Sequence, residues 1–416
     1  MKKQWGGLLT FILLAVLSIP AAGQQQAPAA DSSGQAAAPA PAAAAATPAT
    51  APATPQPLPT PTMTAPLQTA APPHTFSAGP FGTVAITGIL SGIGMTQSNW
   101  VPGDQSTHWD LSNGQIFLQK TTGWWQFYLQ GGAYNLPDLG VPFLKTTSTL
   151  TQFYGPLPVA YLKLVKGNFN VEIGELPTLI GAEYTFSFEN MNVERGLLWN
   201  QENAISRGIQ VSDTFKKLSL TASWNDGFYS NVYNWITGTA AYAFNSSNTL
   251  AFVGGGNVGH TPINTLATPL LQNNESIYEV IYTYSHEAWT ITPYWQYTHV
   301  AANPSVGILG SGSTNGGALL LNYNFKYGFS LAARPEYIAS SSSLAATNPN
   351  ALNLLYGPGS SAFGFTVTPT YQKGGFFLRA DVGVADARKF AVGDAFGNVG
   401  ANGTQLRGVI ESGFMF

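Results

Sequence analysis

The chain has 416 residues, no cysteine, only 9% charged side chains and a net charge of -3. Soluble domains carry roughly 25% charged residues, so charge is being avoided, and the near-neutral balance leaves no basic footprint for nucleic acid. The missing thiols exclude a disulfide framework, a thiolate metal site and a cysteine nucleophile.

The first 23 residues place Lys2 and Lys3 before an apolar run from Leu8 to Ile19, then Pro20, Ala21 and Gly23. This is the pattern of a secretory signal with cleavage after Gly23; the run is too short for a spanning helix, which needs about 20 apolar residues. Residues 24–75 are dominated by Ala and Pro. Recurrent Pro breaks the helix that Ala favours, so a periplasmic spacer without its own core is expected, disordered or polyproline-like. Reaching toward the cell wall is the functional alternative for that tail.

Beyond it, over residues 76–416, the predicted fold is all-β: a transmembrane antiparallel β-barrel of sixteen strands. Alternating segments fall near 81–97, 111–120, 123–135, 157–167, 168–176, 206–216, 217–229, 237–246, 247–258, 275–287, 288–300, 316–326, 327–341, 361–373, 374–388 and 405–416. In the last, Leu406, Gly408, Ile410, Ser412, Phe414 and Phe416 share one face, while Arg407, Val409, Glu411, Gly413 and Met415 take the other. That is a period of two with charge confined to one side. Short turns such as 121–123, 216–217 and 373–375 alternate with longer connections, as in an outer-membrane barrel with short periplasmic turns and long extracellular loops. A soluble sandwich would carry more charge and collect its aromatics inside. Here aromatic residues stand near strand ends, as in "AWTITPYWQY" (288–297), where headgroups suit an amphipathic ring.

Sixteen strands enclose an aqueous lumen, whereas eight would be filled by side chains. The inward rows then carry Arg334 with Glu336, Arg379 with Asp381, and Arg407 with Glu411. The longest connection, 176–206, holds Glu183, Glu189, Glu194, Glu202 and Arg195 among apolar Phe186, Phe188, Leu197, Leu198 and Trp199. A loop of this size with apolar content packs on something. Folded into the lumen, its Glu183, Glu189 and Glu194 would face Arg334, Arg379 and Arg407 across the pore and set a transverse field. An external cap or a trimer contact is the alternative.

The stretches "GELPTLIGAEYTFSFENMNVERGLLWNQENAISRGIQ" (174–210) and "NDGFYSNVYNW" (225–235) resemble the beta-barrel porin-2 family, the OmpL-like outer-membrane porins of Gram-negative bacteria. The resemblance extends over 81–416 and implies a channel for small solutes. It supplies no binding residues to transfer.

No catalytic set is recognisable. His74 falls in the expected linker, His108 and His260 in long connections, and His286 and His299 near strand ends; none has the close spacing of a metal site. "GGGN" (254–257) ends a strand with no helix or Lys behind it, which suits a bend rather than a phosphate cradle. No enzyme activity, metal or cofactor is expected. The expected function is passive diffusion of small hydrophilic solutes, with a plugged structural or adhesive barrel as the alternative. Expected partners are outer-membrane lipid, the barrel-assembly machinery, which would read Phe414 and Phe416 as its signal, the solutes, and further copies in a homotrimer.

Overall fold

The computed structural model describes residues 60, 66–69, 73–341 and 350–416. The expected signal (1–23) and most of the expected linker (24–75) lie outside the described residues.

Alternation becomes strand wherever it was expected. The barrel strands are β2 (Thr83–Gln97), β3 (Thr107–Lys120), β4 (Trp125–Tyr134), β5 (Val159–Lys166), β6 (Phe169–Pro177), β7 (Ile205–Phe215), β8 (Leu218–Asn225) and β9 (Trp235–Asn245). They continue as β10 (Asn248–Asn257), β11 (Glu275–His286), β12 (Trp289–Val300), β13 (Gly312–Asn324), β14 (Phe329–Ser340), β15 (Ser361–Lys373), β16 (Phe376–Arg388) and β17 (Thr404–Met415). An additional strand, β1 (His74–Ser77), precedes them. Each barrel strand pairs antiparallel with the next, and β17 pairs with β2 from Arg407↔Gln97 to Met415↔Ile89. The sheet is a closed ring of sixteen strands, and β1 lies outside that count, paired with β2 from His74↔Ile86 to Ser77↔Thr83.

Two expectations shift at the edges. His74 belongs to β1 rather than to a structureless linker, and His108 lies in β3, buried, its Nε2 2.8 Å from Asp104 Oδ1. The turns explain the short rim: Lys216 and Glu287 take left-handed φ values of 57° and 51°, as two-residue hairpin loops demand to match strand twist. The opposite rim carries connections L1 (98–106), L2 (135–158), L3 (178–204), L4 (226–234), L5 (258–274), L6 (301–311), L7 (341–360) and L8 (389–403). L2 contains a short helix, α1 (Thr146–Gln152).

Register fixes which side chains meet lipid, because a one-residue slip would exchange the two faces. On β16 Phe376, Leu378, Ala380, Val382 and Val384 are partly or fully exposed, while Phe377, Arg379, Asp381 and Gly383 are buried. Exposed aromatics gather at two levels: Phe169, Phe215, Trp289, Phe329 and Phe414 toward the short turns, and Trp109, Trp224, Tyr278, Trp295 and Tyr337 toward the long loops. Strands β11 and β12, of 12 residues each, span about 30 Å at the usual rise and a tilt near 40°. That exceeds the apolar band of about 25 Å. No helix among the described residues is long and apolar enough to cross a membrane.

The C-terminus is built into the seam. Phe416 N donates to Gly88 O (3.0 Å) and accepts back through its carbonyl from Gly88 N (2.8 Å), so the last residue extends the β17–β2 ladder. The Phe416 ring lies outward over Gly88, where any Cβ would run into it. Gly88→Val should displace the ring and overpack the seam at a cost of about 1–3 kcal/mol. The check is a lower guanidinium midpoint for the folded barrel in lipid, with an unchanged midpoint for Gly92→Val, whose added Cβ meets nothing closer than 3.8 Å.

Candidate functional site

L3 leaves β6 after Pro177 and turns into the barrel. From Leu176 to Ser206 every residue is buried except Pro177, Leu179, Ala182 and Asn200, which are partly so. The apolar residues that made a solvated tip implausible supply the reason: Phe186 packs edge-on against Tyr134 of β4 at 5.0 Å, and Phe188 lies 5.5 Å from Phe117 of β3. Leu197 and Leu198 join the cluster that contains Ala332 and Ile338 on β14.

Wall arginines hold the loop. Arg334 on β14 donates Nη1 to Glu183 Oε1 (2.5 Å) and to the Glu194 carbonyl (2.7 Å), Nε to Glu336 Oε1 (3.2 Å) and Nη2 to Thr366 Oγ1 (3.2 Å). Arg407 on β17 donates Nη1 to Glu194 Oε1 (2.9 Å) and Nε to Gln97 Oε1 (2.9 Å), and its guanidinium also caps the carbonyls of Asp138 and Val141 in L2. Arg379 on β16 reaches backbone: the carbonyls of Ser187 (2.9 Å), Asn190 (2.7 Å) and Met191 (3.0 Å). All three side chains are at most 1% exposed.

Acidic wall groups complete the grip. Asp381 accepts from the backbone N–H groups of Val193 (3.2 Å) and Glu194 (2.8 Å), and Glu336 from that of Leu197 (2.6 Å). Glu411 accepts from Ser187 Oγ (2.8 Å) and lies 3.6 Å from Arg379 Nη1. The loop comes this close because residue 196 is glycine: a Cβ there would meet the Glu336 carboxylate and stand 2.8 Å from Arg334 Nε.

The geometry corrects the expected field across water. Glu183 and Glu194 do meet Arg334 and Arg407, but in direct contact, with the charges cancelled at hydrogen-bond distance. Glu189 does not pair with Arg379; its carboxylate turns back to the N–H of Phe186 (3.1 Å) and closes a local turn. Arg195 serves a second purpose, donating Nε to Asp138 Oδ1 (2.5 Å) and so tying L3 to L2. Several contributors escape a sequence reading, among them Asp138, Gln97, Thr366, Asn190 and Thr368, whose hydroxyl donates to Asp381 Oδ1 (2.6 Å) and accepts from Asn192 Nδ2 (2.6 Å). Backbone carbonyls as arginine acceptors leave no residue signature at all.

At its other side the loop meets β11 and β12. Gly181 N donates to Glu279 Oε2 (2.7 Å), and Gln296 Nε2 bridges Glu202 Oε1 (2.7 Å) and Glu279 Oε1 (3.2 Å). Among the described residues no basic group is ion-paired to Glu202, Glu275 or Glu279. No group of three ligating side chains there can hold a metal ion.

The family model described as "Putative beta-barrel porin-2, OmpL-like" matches residues 83–416, the whole sixteen-stranded ring. The chain belongs to this porin family. Outer-membrane expressed OmpT of Vibrio cholerae superposes with a TM-score of 0.53 at 12% identity, covering 82% of this chain and 100% of that one. OmpT of the same organism in its trimer form gives 0.51 at 13% identity, covering 80% and 99%. At these identities the likeness is one of fold. No curated protein matches by sequence. As a member of the porin-2 family, the chain is an outer-membrane barrel.

Two expected outcomes follow from how this porin holds its loop. Removing one partner of a buried ion pair costs about 3–5 kcal/mol because the other is stranded. Arg334→Met should therefore destabilise the barrel on that scale, since Glu183 and Glu336 both lose their cation, and Arg334→Met with Glu183→Gln should recover part of it in guanidinium unfolding. The second concerns pH. Burial, then the neighbouring Glu279, Glu183 and Glu275 carboxylates, push the Glu202 carboxyl well above the ordinary carboxylate range, while the Gln296 amide opposes the rise. A group raised on folding binds its proton more tightly in the docked state. Its stabilisation is full below the unfolded value and is lost as pH rises through the folded one. L3 amides should therefore be better protected in mildly acidic than in neutral buffer, after correction for intrinsic exchange, and Glu202→Gln should flatten the difference.

Proposed function

We propose that this porin passes small hydrophilic solutes by diffusion through a lumen narrowed by L3, without chemistry. The observation that carries the reading is the docking of 178–204 inside the ring, where three arginines fix the loop to β14, β16 and β17. A rigid loop on one side of a sixteen-stranded wall reduces the aperture without needing to move. Glu183, Glu194, Arg334, Glu336, Arg379, Asp381, Arg407 and Glu411 are then positioning residues of the constriction. We read Phe414 and Phe416, exposed on the lipid face at the seam, as the segment by which assembly machinery engages the barrel. The trimer form of a structurally similar barrel supports a homotrimer.

A plugged, structural barrel draws on the same burial of L3, and conductance separates the two. In a planar bilayer the purified protein should give discrete single-channel steps. Replacing Arg334, Arg379 and Arg407 together by Gln should loosen L3, raising conductance and current noise. Steps of unchanged size and noise in a folded triple variant would remove L3 as the constriction; no steps in the folded wild type would favour the plugged barrel.

A further inference from the structure

We propose that the segment at residues 66–69 is a strap docked across part of the periplasmic mouth, restricting passage until it is pulled away. The inference rests on the barrel conducting solutes, and its test keeps the two apart.

Gln372, at the short-turn end of β15, holds Gln68 by both atoms of its amide: it accepts from Gln68 N (2.9 Å) and donates Nε2 to Gln68 O (2.7 Å). A side-chain amide thus stands in for the edge of a strand, recognising backbone and no particular side chain at residue 68. One residue earlier, Leu67 is 2% exposed and joins a cluster with Ile89, Phe117, Phe377 and Met415. Those four belong to the inward rows of β2, β3, β16 and β17, at the ends near the short turns. Apolar groups on the inner wall of a water-filled barrel are unfavourable unless covered. Leu67 covers them.

Six residues beyond Gln68 the chain is held again, where β1 takes the free edge of β2 from Ile86 to Thr83, just past the point at which β17 ends. The two anchors, on β15 and β2, are three strands apart around the ring. Both anchors stand at the short-turn rim of that sector, and residues 66–69 come immediately after the Ala/Pro-rich tail. Tension on the tail would load the Leu67 contact and the two Gln372 hydrogen bonds before it reached β1.

The natural chain has no cysteine, so Gln68→Cys with Gln372→Cys can be joined by a short, reducible bis-thiol reagent without background. In the full-length protein, mass spectrometry should find the crosslink in folded barrels in high yield. The locked barrel should conduct no better than wild type, and reductant should leave it unchanged or raise it. Leu67→Asp and, separately, Gln372→Ala should give larger single-channel steps or a new larger sublevel. Poor crosslinking, or steps in both single variants identical to wild type, would overturn the strap. Efficient crosslinking with no current in any folded variant would overturn conduction and, with it, the restricting role.

Discussion

Everything in this molecule depends on the closure of β17 onto β2. In lipid an unpaired strand edge leaves a row of backbone donors and acceptors without partners, each costing several kcal/mol, so the sheet is stable there only as a ring. The ladder from Arg407↔Gln97 to Met415↔Ile89, extended by the paired Phe416 and Gly88, is what turns fifteen local hairpin pairings into a barrel. It joins residues more than 300 positions apart, so it forms last in any account based on loop-closure entropy. Phe416 fits this geometry: its backbone pairs with Gly88 and its ring continues the lipid-facing row over that glycine.

Closure also decides what the inside can be. Once the outer rows are given to lipid, charged side chains at mid-strand must turn inward, and those on the outward rows, such as Glu175, Arg207, Asp213, Asp386 and Arg388, stand near strand ends. The lumen wall therefore inherits Arg334, Glu336, Arg379, Asp381, Arg407 and Glu411 as a group. Such a wall needs counter-charges and hydrogen-bond partners, and L3 supplies them in Glu183, Glu194 and a run of backbone groups from Ser187 to Leu197. The loop and the wall satisfy one another, which is why the 27 residues of L3 (178–204), with scarcely any regular structure, can pack as tightly as a core.

This division explains how far the sequence could be read. Period-two alternation carries face and register, so all sixteen strands, the inward charges and the outward Phe414 and Phe416 were legible. So was the packing of L3 against some surface, because Phe186, Phe188, Leu197 and Leu198 cannot be left in water together; the choice between the lumen and an external cap or trimer contact was not. Pairing was not. Nothing in the sequence says that Arg379 will take three carbonyls, that Glu189 will fold back on Phe186, or that Arg195 will reach Asp138 in L2, since those choices depend on loop backbone geometry and on Gly196 allowing contact. Likewise, Leu67 and Gln68 sit in a stretch whose composition speaks for a spacer, and only the apolar inner rim of β2, β3, β16 and β17 gives Leu67 a reason to be buried.

The contact pairing of L3 has an electrostatic consequence for the lumen. Opposite charges at 2.5 to 2.9 Å, as in Arg334–Glu183 and Arg407–Glu194, present a dipole to their surroundings rather than two separated charges. A dipole's field dies away faster than a charge's, and salt shortens its reach further. The paired charges of Arg334 with Glu183 and of Arg407 with Glu194 therefore reach a shorter distance into the lumen than separated charges would. On the opposite flank of the loop Glu202 and Glu279 share one neutral amide, Gln296, and burial together with carboxylate crowding favours the protonated form of Glu202, so like charge there is relieved by a proton rather than by a cation. The two flanks of L3 thus settle their charge by different means, contact pairing on one side and proton binding on the other, a distinction that a count of lumen charges does not make.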